Sequence, residues 1–116
     1  MSETTLSPLS REFIEARVYW NTIHTDVKGE PYWVSLVYLP VAGNTGNPFP
    51  LGQVKAAYGF RGTRYEASLS WQLRQIADAP GPREFTTFDA GKRWIEQFVK
   101  DRLEQVHCMA LAAVIL

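Results

Sequence analysis

The longest alternation of apolar and polar positions in the chain runs from Arg64 to Arg74. Tyr65, Ala67, Leu69, Trp71 and Leu73 fall in step against Arg64, Glu66, Ser68, Ser70, Gln72 and Arg74. A period of two is that of a strand, whose side chains point alternately to opposite faces. The segment is therefore read as an amphipathic strand with one face toward water. Just before it, Val54, Ala56, Tyr58 and Phe60 alternate with Gln53, Lys55, Ala57 and Gly59, and Arg61-Gly62-Thr63 supplies a short hairpin turn.

An earlier hairpin shows the same signature. From Ala16 the period is two, with Ala16, Val18, Trp20 and Thr22 on one face and Arg17, Tyr19, Asn21 and Ile23 on the other. The turn is Asp26 to Glu30, where Gly29 is free to take a positive φ. Tyr32 to Leu39 follows, dense in β-branched and aromatic residues and apolar on both sides, as expected of a central strand. Pro40 stops it. The run Val41 to Pro50, rich in Gly, Asn and Pro, reads as a long loop, in which Phe49 either pins the loop to the core or faces a partner. Upstream, Ser7 or Ser10 is placed to cap a short helical turn through Leu9, Phe13 and Ala16; a strand beginning near Phe13 is the competing assignment. Residues 1–10 carry no periodicity and are expected to fray.

After Arg74 the pattern changes. Asp78-Ala79-Pro80-Gly81-Pro82 breaks the chain, and Glu84-Phe85-Thr86 has room for a short strand. Thr87 reads as an N-cap with Asp89 in the first helical turn. From Phe88 past Leu103, Trp94, Ile95, Phe98, Val99, Leu103 and Val106 form one stripe, opposite Lys92, Arg93, Glu96, Lys100, Asp101 and Glu104. This predicts one long helix. Gly91 weakens it by about 1 kcal/mol relative to Ala, and its lack of a side chain suits a close approach to the sheet. The predicted contact sets Tyr65, Ala67, Leu69 and Trp71 against Trp94, Phe98 and Leu103.

Together these elements predict an α+β domain: an antiparallel sheet of four to five strands built from two hairpins, with a long C-terminal helix packed on one face. At 116 residues the chain is one domain, large enough to hold a core without disulfide staples. Its last seven residues, Ala110 to Leu116, have no polar side chain. Left in water they would form a patch that monomers seldom tolerate. The helix continues and buries them, or a last strand joins a sheet edge, or Leu111, Val114, Ile115 and Leu116 pack on another chain as oligomer contacts.

Charge excludes two classes of function. Twelve basic residues balance twelve acidic ones, so the chain is neither a strongly basic nucleic-acid binder nor an acidic nucleic-acid mimic. The distribution is uneven, because residues 53–103 hold nine basic and six acidic side chains. Lys55, Arg64 and Arg74 lie on the polar face of the second hairpin, with Arg61 at its turn, and such side chains are the usual contacts to phosphate. A solvated strand face with Glu66 in its midst is the plainer interpretation.

Candidate chemistry is sparse. The sequence has no phosphate loop, no dinucleotide fingerprint and no Gly-x-Ser-x-Gly elbow. The single cysteine, Cys108, cannot form an internal disulfide, which suits a reducing compartment. His107 beside it points to a different helix face, so the two do not form a metal or nucleophile pair. The expectation is a surface histidine and a buried thiol. No catalytic residue, metal or cofactor is expected. The polar opening lacks the regions of a secretory signal, and no apolar stretch is long enough to span a bilayer, so a cytoplasmic protein without membrane contact is expected.

One resemblance bears on function. Phe85-Thr86-Thr87-Phe88-Asp89-Ala90-Gly91-Lys92-Arg93-Trp94, following a hairpin, resembles the strand-to-helix junction of the arm-binding, AP2-like DNA-binding domains of tyrosine recombinases. The likeness spans residues 53–103. It implies a three-stranded sheet that reads DNA, backed by a helix. The first fifty residues have no counterpart in that family, and the neutral chain departs from its usual basic charge. The leading expectation is a small non-catalytic protein-interaction module, with an unknown protein partner. A phage or mobile-element accessory protein, such as an anti-CRISPR-like inhibitor of a host defence complex, is one concrete form. The alternative is a nucleic-acid-binding module that uses the basic face of the second hairpin.

Overall fold

The computed structural model describes residues 11–39, 48–59 and 62–115, without the side chains of 59 and 113–115. Helix α1 (Arg11–Glu15) leads into strands β1 (Val18–Thr25), β2 (Pro31–Tyr38), β3 (Phe49–Gly59) and β4 (Gly62–Leu69). A short strand β5 (Arg83–Phe85) and helices α2 (Phe88–Lys100) and α3 (Leu103–Ile115) complete the α+β fold. The five strands lie in the order β1-β2-β3-β4-β5, each antiparallel to the next. The turns use the glycines that the sequence offers: Gly29 at φ 85° and Gly62 at φ 95° occupy the left-handed region open to glycine. In the first turn the Asp26 carboxylate accepts the backbone N–H groups of Lys28 and Glu30, each at 2.9 Å.

Register sorts the strands into two faces. Trp20, Leu36, Gly52 and Leu69 share one cross-strand row, and Thr22, Val34, Val54 and Ala67 the next. These rows lie under α2, where Leu36, Val34, Val54, Ala67 and Leu69 join Ile95, Phe98 and Val99 in the core. Thr87 caps α2, its hydroxyl accepting the Ala90 N–H at 3.1 Å. Gly91 fits as expected: a Cβ there would lie 3.2 Å from Val54 Cγ1, so the helix sits as close to the sheet as glycine allows. Tyr65 packs on Phe88 and Phe85 on Trp94, with ring centroids 5.5 and 5.8 Å apart.

Four expectations need correction. The alternating strand stops at Leu69, not Leu73. The Ser70 hydroxyl accepts the Leu73 N–H at 3.2 Å and turns the chain into a 3₁₀ turn, Leu73–Gln75. Leu73 stays in the core, but Trp71 is swung off the helix side and is 73% exposed. Strand β3 begins at Phe49, inside the expected loop, and Phe49 is a buried core residue rather than an open contact. Pro50 is accommodated by a register shift between Leu36 and Val37, since a bulge needs no ladder N–H from proline.

The long helix is two. Asp101 and Arg102 close α2 with N–H bonds to the carbonyls of Gln97 and Val99 at 3.1 and 2.9 Å, and α3 starts at Leu103. Arg102 holds the junction. Its guanidinium donates to the Phe98 carbonyl at 3.3 Å, lies 4.0 Å from the Phe98 ring centre and pairs with Asp78 at 2.5 Å. Finally, α3 turns Leu103, Val106, His107 and Ala110 inward, so His107 is buried and Cys108 exposed, the reverse of the expected pair.

The C-terminal segment is helical to Ile115, with Ala110 buried, Leu111 half-buried and Ala112 exposed. The side chains of Val114 and Ile115, and all of Leu116, lie outside the described residues. So do residues 1–10, with the proposed caps Ser7 and Ser10. Helix α1 fulfils the short-helix assignment: Ile14 is fully buried in the same core as Val106 and Ala110.

Candidate functional site

Among the described residues, no helix covers the second face of the sheet. Its side chains follow the cross-strand pairing. One row crosses all five strands as His24, Trp33, Lys55, Glu66 and Glu84. The next is polar: Asn21, Ser35, Gln53 and Ser68. A third sets Tyr19 beside Val37 and Pro50.

The first row is organised around Trp33. Its indole N–H donates to the Gln53 side-chain oxygen at 2.8 Å, and the Lys55 ammonium sits 4.5 Å from the ring centre. His24 lies against its other side with centroids 5.3 Å apart. A cation over an indole face is an attractive arrangement, so Lys55 is held by the aromatic. Across the strand it meets Glu66, and Glu66 in turn faces Glu84. Two like charges directly opposite repel, and Lys55 is the basic neighbour in that row.

Ser35, Gln53 and Ser68 of the polar row floor a depression walled by Pro50, Trp71, Gln72 and Arg74. The Ser35 hydroxyl is directed at the Gly52 carbonyl at 3.3 Å, and Ser68 is buried. Trp71 stands at the rim because of the Ser70 turn described above. The site thus joins two tryptophans, two serines, a glutamine and flanking cations.

The residues singled out from sequence separate. Lys55 and Arg64 share the uncovered face, Arg64 opposite Ala57. Arg74 borders the polar depression at the other end of the strands, and Glu66 and Glu84 interrupt the basic surface. Arg61 lies outside the described residues. Phe49 belongs to the core. The sequence pattern marks neither Trp33 nor Tyr19 as a site residue, and it sets Trp71 against the helix instead. The alternation from Arg17 to Ile23 does place Tyr19 on the polar side of its strand, which was the available signal; none marked Trp71, whose position depends on where β4 ends.

Two further features are structural in chemistry. The hydroxyl of Tyr38 and Nδ1 of His107 are 2.5 Å apart, both residues buried. Burial pushes the histidine below its ordinary pKa. It raises that of the tyrosine, against an opposing pull from Arg17. The neutral pair is therefore favoured, with the phenol donating to the imidazole. Cys108 is exposed on α3, and no group of three or more His, Cys, Asp or Glu side chains among the described residues is arranged to hold a metal ion. No described helix is long and apolar enough to cross a membrane.

The chain matches no family model, no curated protein and no solved structure.

Proposed function

We propose that the protein is a non-catalytic interaction module whose partner is another protein, docked on the uncovered face of the sheet. The observation that supports this is the composition of that face: Tyr19 and Trp71 exposed by 43 and 73%, with Trp33 beside the polar row of Asn21, Ser35, Gln53 and Ser68. Aromatic anchors ringed by polar groups are typical of protein interfaces, where Trp and Tyr supply much of the binding energy. An inhibitor of a host defence complex is one form of this reading.

The test is affinity capture from a native lysate with the wild-type chain, Trp71→Ala and Tyr19→Ser, each with and without nuclease. Both variants alter exposed side chains and should leave folding intact. A partner retained by wild type, lost with Trp71→Ala and indifferent to nuclease supports the reading. Capture that survives both substitutions removes it.

The second reading, nucleic-acid binding, has its own support. Strands β3, β4 and β5 are three neighbouring antiparallel strands of the five-stranded sheet with α2 on one side, comparable to the arrangement the AP2-like resemblance implies, and Lys55 and Arg64 lie on the other side. Contacts of that kind lose affinity steeply with salt as counterions are released. Gel shifts with single- and double-stranded probes at low salt distinguish the two readings: a shift that fades steeply with salt and is lost on changing Lys55, Arg64 and Arg74 together to Ala supports nucleic-acid binding, and no shift at micromolar protein removes it.

A further inference from the structure

Strand β1 is the outer edge of the sheet, and its sequence, Val-Tyr-Trp-Asn-Thr-Ile-His-Thr, has neither a Lys, Arg, Asp or Glu nor a proline. Long edge strands usually carry charges or proline, because their unpaired backbone groups invite another strand. The direction of those groups follows from the ladder. The Leu39 N–H donates to the Arg17 carbonyl at 3.0 Å, next to the Val18–Tyr38 pair. Bonded and non-bonded pairs alternate in an antiparallel ladder. Tyr19 and Asn21 therefore bond to β2, while the N–H and C=O groups of Val18, Trp20 and Thr22 point outward. Among the described residues, no other strand pairs with them. Register shifts on either side of His24 end the regular edge at Thr22.

We infer that β1 pairs with β1 of a second copy of this chain, antiparallel about a two-fold axis through Asn21, joining two five-stranded sheets into one. The strand is its own complement. With no charge on either side, self-pairing opposes no like charges. The register centred on Asn21 matches the outward groups of Trp20 with those of Thr22 in the second copy, an exchange of four hydrogen bonds. It also brings Tyr19 of each copy toward Ile23 of the other, where the register shift after Thr22 ends the regular ladder. These are the exposed large apolar residues of the strand, at 43 and 39%, and each would cover the other. A contact of about three regularly paired residues per strand, with Tyr19 and Ile23 beside them, is smaller than the roughly 800 Å² per partner of a standard interface. The dimer is therefore a weak one, filling over tens to hundreds of micromolar protein. The hydrogen bonds use the sheet's edge, while Tyr19 is shared with the face proposed to dock a partner, so the pairing is tested on the chain alone.

The test is sedimentation across that concentration range, on wild type and Thr22→Pro. The proline removes an outward N–H and leaves the β1–β2 bonds in place. Wild type should shift from monomer to dimer, and Thr22→Pro should bind its own copy at least tenfold more weakly at an unchanged melting temperature. A second variant covers the case in which the proline unfolds the strand. Asn21→Cys in a Cys108→Ser background brings two thiols to a non-hydrogen-bonded cross-strand position, within reach of a disulfide. It should oxidise to a covalent dimer, while Ser35→Cys in the same background should not. A wild-type chain monomeric throughout, a dimer unaffected by Thr22→Pro, or an Asn21→Cys chain that cross-links no faster than Ser35→Cys overturns the inference.

Discussion

Tyr38 on β2 and His107 on α3 meet hydroxyl to Nδ1 at 2.5 Å inside the core, tying the sheet to the last helix through a hydrogen bond rather than through apolar contact alone. Phe13 of α1 completes the surroundings, its ring edge-on to the imidazole at 6.5 Å. Protonating His107 would turn its acceptor nitrogen into a donor facing the phenol, in a place where a charge is poorly solvated.

The pair predicts a pH dependence with a definite sign. Burial lowers the pKa of His107 in the folded state, so below the ordinary histidine value the unfolded chain binds the proton first. Stability should be insensitive to this group above about pH 6.5 and fall as the pH drops below it. His107→Gln, which keeps a hydrogen-bonding side chain, should remove that portion of the decline. Thermal melts of both proteins between pH 7.5 and 5 would show it as a divergence that narrows on acidification, and parallel curves would contradict it.

Leu69 and Trp71 sit two residues apart in sequence and should respond in opposite ways. Leu69 is in the core, so Leu69→Ala should cost about 2–5 kcal/mol. Trp71→Ala removes an exposed side chain and should change stability by about 0.5 kcal/mol or less. Denaturant titration of the two variants reads the contrast directly, and a large loss with Trp71→Ala would place the end of β4 elsewhere.

Gly52 should be harder to replace than Gly91. A Cβ on Gly52 would fall 2.8 Å from the Ser68 carbonyl and 3.0 Å from Ile95 Cγ2, the first of these being backbone. Gly91→Ala meets only side chains and gains helix propensity of about 1 kcal/mol. Gly52→Ala should therefore lower the melting temperature clearly, and Gly91→Ala much less. Equal losses would mean that the Gly52 strand shifts to make room.

What could be read from sequence follows from how local each signal is. Thr87 and Asp89 mark the start of α2 through a hydrogen bond and a helix-dipole charge within a few residues, and the strand alternations of Tyr65, Ala67 and Leu69 hold. Trp71 continued the same alternation, yet its fate was set by a serine hydroxyl that could either face water or close a turn. Leu73 stays buried in both geometries, so the pattern alone does not separate them. Phe49 looked like a loop residue because prolines flank it, and only the bulge opposite Leu36 and Val37 lets it enter a strand. His107 required knowing that Tyr38 offers a buried donor some seventy residues away. The uncovered face was implied by the amphipathic strands, but its tryptophans are assembled by pairing between strands, which no local window reports.

Helix α1 has a consequence for how the molecule is made. Arg11 bonds to the Lys100 carbonyl across 89 residues of sequence, and Ile14 is sealed in the core beside Val106 and Ala110. Among the first described residues to leave the ribosome, α1 has its place only once α3 has been synthesised. During translation Phe13 and Ile14 remain without that packing, and forming it closes a long loop, a contact of the kind that slows folding. The sheet can assemble progressively by hairpins as the chain emerges, while the last step of folding waits for the final helix.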